Sequence, residues 1–186
     1  MRSAFVLAGP ATGVGKTTVA LGIIQTLRRR GLTVQPYKIG PDYIDPLFHA
    51  RAAGRPSYTL DPWLMGEVRG TFERHDADVA IVEGVMGLYD GATAPIARRL
   101  RLPVVLVVDV WAMGASAGRL VRGFDPDAVI FNRVAGPGHY EICRQATRTP
   151  VLGYVARDPR IELPERHLGL VLERRASLPR IRAEID

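Results

Sequence analysis

Gly9-Pro10-Ala11-Thr12-Gly13-Val14-Gly15-Lys16-Thr17-Thr18 is the stretch that decides the fold of this chain. An apolar run, Ala4 to Ala8, precedes it, and Val19 to Ile24, with helical apolar spacing, follows. Strand, glycine-rich turn and helix together form the setting in which Gly-Lys-Thr makes a phosphate cradle. Glycines let successive backbone N–H groups point into one concavity, and the helix N-terminus adds partial positive charge. Gly13, Val14, Gly15, Lys16, Thr17 and Thr18 are thus candidate nucleotide-binding residues. Lys16 would reach the β- and γ-phosphates, and the Thr17 hydroxyl would ligate Mg²⁺. The strict spacing asks for glycine at position 10, where the chain has Pro10.

Working outward, helical and extended patterns alternate. A helix over about Thr17–Arg30 stops at Gly31, and a strand over Leu32–Ile39 breaks at Gly40-Pro41. Gly54 to Pro62 reads as a polar connection, with Asp61-Pro62 starting a helix to about Arg74 that buries Trp63, Leu64 and Phe72. Further strands are expected at Asp78–Gly84, Pro103–Asp109, Asp127–Arg133 and Pro150–Tyr154, with a helix ending near Thr149 before the last. The pattern predicts an α/β fold: a doubly wound, mostly parallel sheet of about six strands, with the ligand site outside the strands' carboxyl ends. Residues 1–186 form one domain in this reading, with 157–186 as a C-terminal tail.

Several polar residues fall at those strand ends. Asp42 and Asp45, just beyond Lys38, could hold a magnesium ion or orient a cationic group; equally, they could cap turns and the helix that starts near Pro46. His49 reads as a packed or surface histidine. Glu83 closes a buried strand, and the glycine-rich loop after it carries Asp90, either functional or a solvent-facing cap. Asn132, at the end of the fifth strand, can hydrogen-bond an adenine edge; a guanine-reading motif would need an acid at position 135, where Ala135 stands. ATP is favoured over GTP on that ground. Gly114 to Gly118 matches a nucleophile elbow in letters, but Ser116 lies well past the strand end and reads as a small-residue helix start.

The 186 residues are 47% hydrophobic and 24% charged, as in an ordinary globular protein. The single Cys143 rules out an intrachain disulfide and fits a cytoplasmic setting. Nothing at the N-terminus resembles a secretion signal. The longest apolar run, Leu102–Val108, is interrupted by Pro103, so no membrane span is expected. The net charge of +6 invites a nucleic-acid partner, but the basic residues are dispersed, so none is expected and anionic small molecules are favoured. Of the 25 basic residues 23 are arginine. The two lysines, Lys16 and Lys38, sit in glycine-flanked stretches where a compact charge on a flexible stem is useful.

Taken together, these stretches resemble the ATP-binding half of the cobyrinic acid a,c-diamide synthases. The matching pieces are Gly9–Thr18, Lys38–Pro46, Val82–Gly91, Phe131–Val134 and Leu163–Leu170, in the family's order. Lys38-Ile39-Gly40-Pro41-Asp42-Tyr43-Ile44-Asp45-Pro46 is the most specific of them. The resemblance implies a P-loop NTPase-like domain that activates a corrinoid carboxylate with ATP and Mg²⁺ as an acyl phosphate, which ammonia converts to an amide. It makes Lys16, Lys38, Asp45 and Asp90 the catalytic candidates, with Thr17, Asp42 and Glu83 at the metal. It also implies a homodimer, and ammonia from a glutaminase domain that is separate or missing, since Cys143 lacks that domain's surroundings. Three rivals stand beside it, of which two are amidation of another tetrapyrrole such as nickel sirohydrochlorin, and a partition or positioning ATPase. The latter carry a second lysine early in the phosphate loop, which residues 10–14 lack. A catalytically silent binding module is the third, and the retained acids oppose it.

Overall fold

The computed structural model describes residues 3–161 and 184–185. Leu163–Leu170, one of the matching pieces, and most of the expected tail lie outside them. The chain runs β1 (Ser3–Ala8), α1 (Lys16–Arg29), β2 (Val34–Ile39), α2 (Asp45–Ala53), β3 (Tyr58–Leu60), α3 (Pro62–Met65), α4 (Val68–Glu73), β4 (Val79–Glu83) and α5 (Thr93–Leu100). It continues through β5 (Val104–Asp109), α6 (Ala117–Phe124), β6 (Ala128–Val134), α7 (Pro137–Gln145), β7 (Val151–Ala156) and β8 (Glu184–Ile185). The sheet order is β3-β2-β4-β1-β5-β6-β7-β8. Strands β1 to β7 pair in parallel, and β8 is antiparallel to β7.

Both faces of the sheet are covered, which is why its strands are nearly continuous in Val, Ile and Leu. On one face Leu7, Val34, Ile81, Val105, Val107 and Ile130 pack against the apolar stripe of α1 (Val19, Ile23, Ile24) and Ala52 and Ala53 of α2. On the other, Val6, Ala8, Tyr37, Val82, Leu106, Val108 and Phe131 meet Val68 and Phe72 of α4, Ile96 of α5, Val121 of α6 and Cys143 of α7. Adjacent residues of β1 therefore serve opposite layers, as the period of a strand requires. Strand order reverses at β1, so the crevice opens beyond the carboxyl ends of β1, β4 and β2.

The six expected strands are present, with ends displaced by up to two residues or so. Four expectations are corrected. The connection 54–62 contains β3, three residues paired in parallel with Tyr37–Ile39. The single helix from Pro62 to Arg74 is two, because Gly66 at φ +67° closes α3 after one turn and Glu67 caps α4 through the Arg69 N–H. Asp61 does cap α3, accepting from Trp63 N and Leu64 N, yet one turn cannot carry a buried stripe. Trp63 is 97% exposed and Leu64 59%, while Phe72 on α4 is core. Finally, α7 ends at Gln145 rather than near Thr149. Gly118, at the start of α6, sits so close to the Ala146 carbonyl that a Cβ would lie 2.0 Å from its oxygen, the close packing expected of that small-residue stretch.

Candidate active site

The turn from β1 into α1 is shaped by two left-handed glycines, Gly13 at φ +81° and Gly15 at φ +88°. Gly15 is the residue preceding α1, and a Cβ there would stand 2.1 Å from the Asn132 Nδ2 atom. Asn132 lies beneath the loop: its side-chain amide donates to the Val14 carbonyl at 2.9 Å. A residue from the end of β6 thereby fixes the backbone curvature that aims N–H groups into the crevice.

The crevice is a cleft of about 640 Å³. Gly13, Gly15, Lys16, Thr17, Thr18, Lys38, Asp42, Asp45, Glu83 and Asn132 all line it. Two of the candidates do not. Val14 contributes its carbonyl to Asn132 from the buried side of the loop, and Asp90 is exposed, with its carboxylate folded back over Gly87.

Lys16 donates to the carbonyls of Ala11 at 2.9 Å and Met86 at 2.7 Å. Leu88 N also donates to Gly9 O at 2.8 Å, so the glycine-rich loop after β4 is bonded to the phosphate loop at two points. Met86 itself holds a left-handed conformation at φ +54°. Such strain in a non-glycine residue is a frequent companion of ligand-contacting loops.

At the floor of the cleft is a buried charge cluster. Lys38, only 3% exposed, bonds through Nζ to Asp45 Oδ2 at 2.7 Å, Glu83 Oε1 at 2.9 Å and Gly84 O at 3.1 Å. Asp42 Oδ2 lies 3.9 Å from the same ammonium, while Asp42 Oδ1 accepts from Ile44 N and Asp45 N. Turn capping and proximity to the Lys38 charge thus fall on different oxygens of Asp42. Glu83 Oε1 also accepts from the Thr17 hydroxyl at 2.7 Å, and Glu83 Oε2 is 2.6 Å from His49 Nε2. Burial alone would push the Glu83 carboxyl up, but the Lys38 charge and the hydrogen bonds from His49 and Lys38 outweigh it and hold the group below the usual carboxylate range. One ammonium faces three carboxylates, whose hard oxygens are of the kind a divalent cation takes. Among the described residues no three His, Cys, Asp or Glu side chains converge to hold a metal by themselves. The donors fit Mg²⁺ in another way, as one or two hard oxygens beside a phosphate-shaped cradle that would complete its shell.

His49 is the site residue that sequence reasoning missed. The signal was available: His49 lies four residues after Asp45, so once a helix starts near Pro46 the two share a face. Further along the cleft, Arg133 and Arg157 supply positive charge. Arg133 pairs with Asp109 at 2.7 Å, and the Arg157 guanidinium stacks 3.6 Å above the Trp111 ring. Cys143 is buried, and burial pushes its thiol up, away from a reactive thiolate. Among the described residues no helix is long and apolar enough to cross a membrane.

Residues 5–171 match the family described as the CobQ/CobB/MinD/ParA nucleotide binding domain. The cobyrinate a,c-diamide synthase of Streptococcus sanguinis is 47% identical over 90% of this chain and 42% of its own length. The hydrogenobyrinate a,c-diamide synthase of Streptomyces coelicolor is 48% identical over 89% of this chain and 39% of its own length. The chain thus spans about two fifths of these curated relatives. Among solved structures, the signal recognition particle receptor FtsY of Elizabethkingia anophelis with GDP aligns over 84% of this chain and 57% of its own, with a TM-score of 0.60 and 16% identity. The hydrogenase maturation factor HypB of Archaeoglobus fulgidus aligns over 83% and 81%, with a TM-score of 0.54 and 16% identity. At such identities these two speak for the P-loop NTPase-like fold alone.

Proposed function

The chain belongs to the CobQ/CobB/MinD/ParA nucleotide binding domain family, and from that premise we propose that it is the ATP-dependent synthetase part of a corrinoid a,c-diamide synthase. The observation that carries the reading is the 47–48% identity, across nine tenths of the chain, to diamide synthases of cobyrinate and hydrogenobyrinate. The buried Lys38–Asp45–Glu83–His49 cluster beside the phosphate loop supports it, because the most specific of the sequence matches, Lys38–Pro46, supplies two of its members.

In the proposed reaction an oxygen of the a or c side-chain carboxylate attacks the γ-phosphorus of ATP. The bond to ADP breaks, and an acyl phosphate forms. Ammonia then adds its lone pair to the acyl carbon, phosphate departs, and a proton is lost to leave the amide. Phosphoryl transfer asks for alignment and charge neutralisation rather than covalent help. Lys16 would exchange its carbonyl partners for the phosphates. Thr17 and Glu83, with Asp42 nearby, are the residues that would hold Mg²⁺, which when bound neutralises phosphate charge. Lys38 acts by keeping Asp45 and Glu83 ionised in place, its three short bonds leaving it little freedom to travel. Asp45 and Asp90 are proposed to orient the corrinoid carboxylate or the ammonia, Asp45 through Lys38 and Asp90 from the rim. Asn132 stiffens the phosphate loop, and its remaining amide atoms are the candidates for an adenine contact. The arginines of the cleft suit a macrocycle bearing many carboxylates.

Mass spectrometry of cobyrinic and hydrogenobyrinic acids incubated with the protein, MgATP and ammonium chloride tests the reading. Mono- and diamides should appear, and Lys16→Ala should abolish them. Absence of amides from both corrinoids, with ATP turnover indifferent to either, would refute it; the same assay on nickel sirohydrochlorin distinguishes the sister amidation.

A further inference from the structure

The Glu83 carboxylate is held from two sides. Thr17 Oγ1 and Lys38 Nζ occupy Oε1 from the cleft, at 2.7 and 2.9 Å. His49 Nε2 reaches Oε2 from behind, at 2.6 Å, out of helix α2. The same helix face that gives Lys38 its Asp45 partner therefore gives Glu83 its third donor, one turn later.

The ring's protonation pattern follows from its surroundings. An ionised carboxylate only accepts, so the hydrogen shared with Oε2 belongs to His49 Nε2. The other ring nitrogen, Nδ1, is buried and has no hydrogen-bond partner among the described residues. An imidazole with one polar atom left bare is a costly way to fill apolar space, since a buried polar group without a partner forfeits its hydration. A methionine or leucine would occupy that room without the penalty. What the imidazole adds is the bond to Glu83.

That bond has a mechanical consequence. The terminal torsion of a glutamate is soft and roughly two-fold, so a carboxylate held at one oxygen can swing. With only Lys38 and Thr17 on Oε1, the buried ammonium could draw both Glu83 oxygens toward itself. We propose that His49 is a positioning residue: by donating from Nε2 to Oε2 it fixes the Glu83 carboxylate plane, keeping Oε1 turned to Thr17 in the orientation that serves a nucleotide-bound divalent cation. The inference rests on the proposed metal role of Thr17 and Glu83 and adds a residue that neither the phosphate-loop motif nor the strand-end acids indicate.

The test measures metal affinity rather than turnover. Mn²⁺ is titrated by electron paramagnetic resonance into the protein with a non-hydrolysable ATP analogue, for the wild type and the variants His49→Met, His49→Asn and His49→Gln. Methionine removes the donor at similar volume, and asparagine has an amide one methylene too short. Glutamine can place an amide N–H near the Nε2 position. Outer-sphere partners of this kind are worth about ten- to a hundredfold in metal affinity. Mn²⁺ binding should therefore weaken about tenfold or more in the Met and Asn variants, and glutamine should restore it to within about threefold of wild type. Binding of the analogue in EDTA should be the same in all four proteins. Wild-type affinity in the Met and Asn variants overturns the proposal, as does a glutamine variant no better than methionine, which would mean that the ring merely packs. If the methionine variant does not fold, the asparagine–glutamine comparison separates the same two outcomes. A wild type that binds the analogue but no Mn²⁺ removes the metal reading of Thr17 and Glu83, and this inference with it.

Discussion

Lys38→Met isolates the electrostatics of the site from its chemistry. Methionine matches the length of the lysine stem and removes only the ammonium that bonds Asp45 Oδ2 at 2.7 Å and Glu83 Oε1 at 2.9 Å. All three groups are almost wholly buried, so solvent cannot replace the lost charge. Removing one partner of a buried pair typically costs about 3–5 kcal/mol because the other is left uncompensated. For a chain of this size that corresponds to a fall in Tm of roughly 6–20 °C. The loss should depend on pH in a defined sense. In the wild type the Glu83 carboxyl titrates below its ordinary value, so its stabilising contribution is complete above the unfolded carboxylate range and disappears as pH falls through the depressed folded value. Without Lys38, the largest of the influences that lower Glu83 is gone while burial remains, so its folded value moves up from that of the wild type. The variant is then penalised most at high pH and relieved as that carboxyl gains a proton. Calorimetry or thermal circular dichroism in EDTA, without nucleotide, at pH 8 and pH 5 gives the readout. The gap between wild type and variant should be widest at pH 8 and smaller at pH 5. A gap below about 2 °C at pH 8, or one that widens toward pH 5, would refute the assignment of Lys38 as the cluster's counter-charge.

Two further outcomes are expected. Gly15→Ala places a methyl group 2.1 Å from the Asn132 amide at a φ of +88°, so it should cost about 1–3 kcal/mol and weaken ATP-analogue binding by calorimetry; unchanged binding would show that the loop curvature is not set there. Trp63→Ala, at a 97% exposed position on the one-turn α3, should shift the unfolding free energy by less than about 0.5 kcal/mol in a denaturant titration, whereas a loss of core size would restore Trp63 to the interior.

The architecture was legible because its signals are local: a phosphate loop between strand and helix, and acids at the carboxyl ends of buried strands. What escaped was either too short or too non-local to leave a pattern. Strand β3 has three residues behind Arg55-Pro56-Ser57, fewer than an alternation needs to show itself. The stretch 62–74 has helical spacing on both sides of Gly66, and only the backbone reveals that this glycine turns to positive φ and leaves Trp63 outside. In the site, the strand-end rule placed Glu83 in the cleft and the spacing of the Lys38–Asp45 stretch placed its acids there. It did not reveal that Lys38 is saturated by Asp45, Glu83 and Gly84, nor that Asn132 bonds Val14 across 118 positions of sequence. His49 became meaningful only when α2 and β4 were seen to face each other across the cleft floor.

The central proposal is that this site passes a phosphoryl group from ATP to a corrinoid carboxylate. Cobyrinic acid labelled with ¹⁸O in its side-chain carboxylates, amidated by the protein with MgATP and ammonia, tests it most directly. The account predicts that the inorganic phosphate released carries one ¹⁸O atom for every amide formed. Amides accompanied by unlabelled phosphate would contradict the acyl-phosphate route, and labelled phosphate without Lys16 would contradict the site.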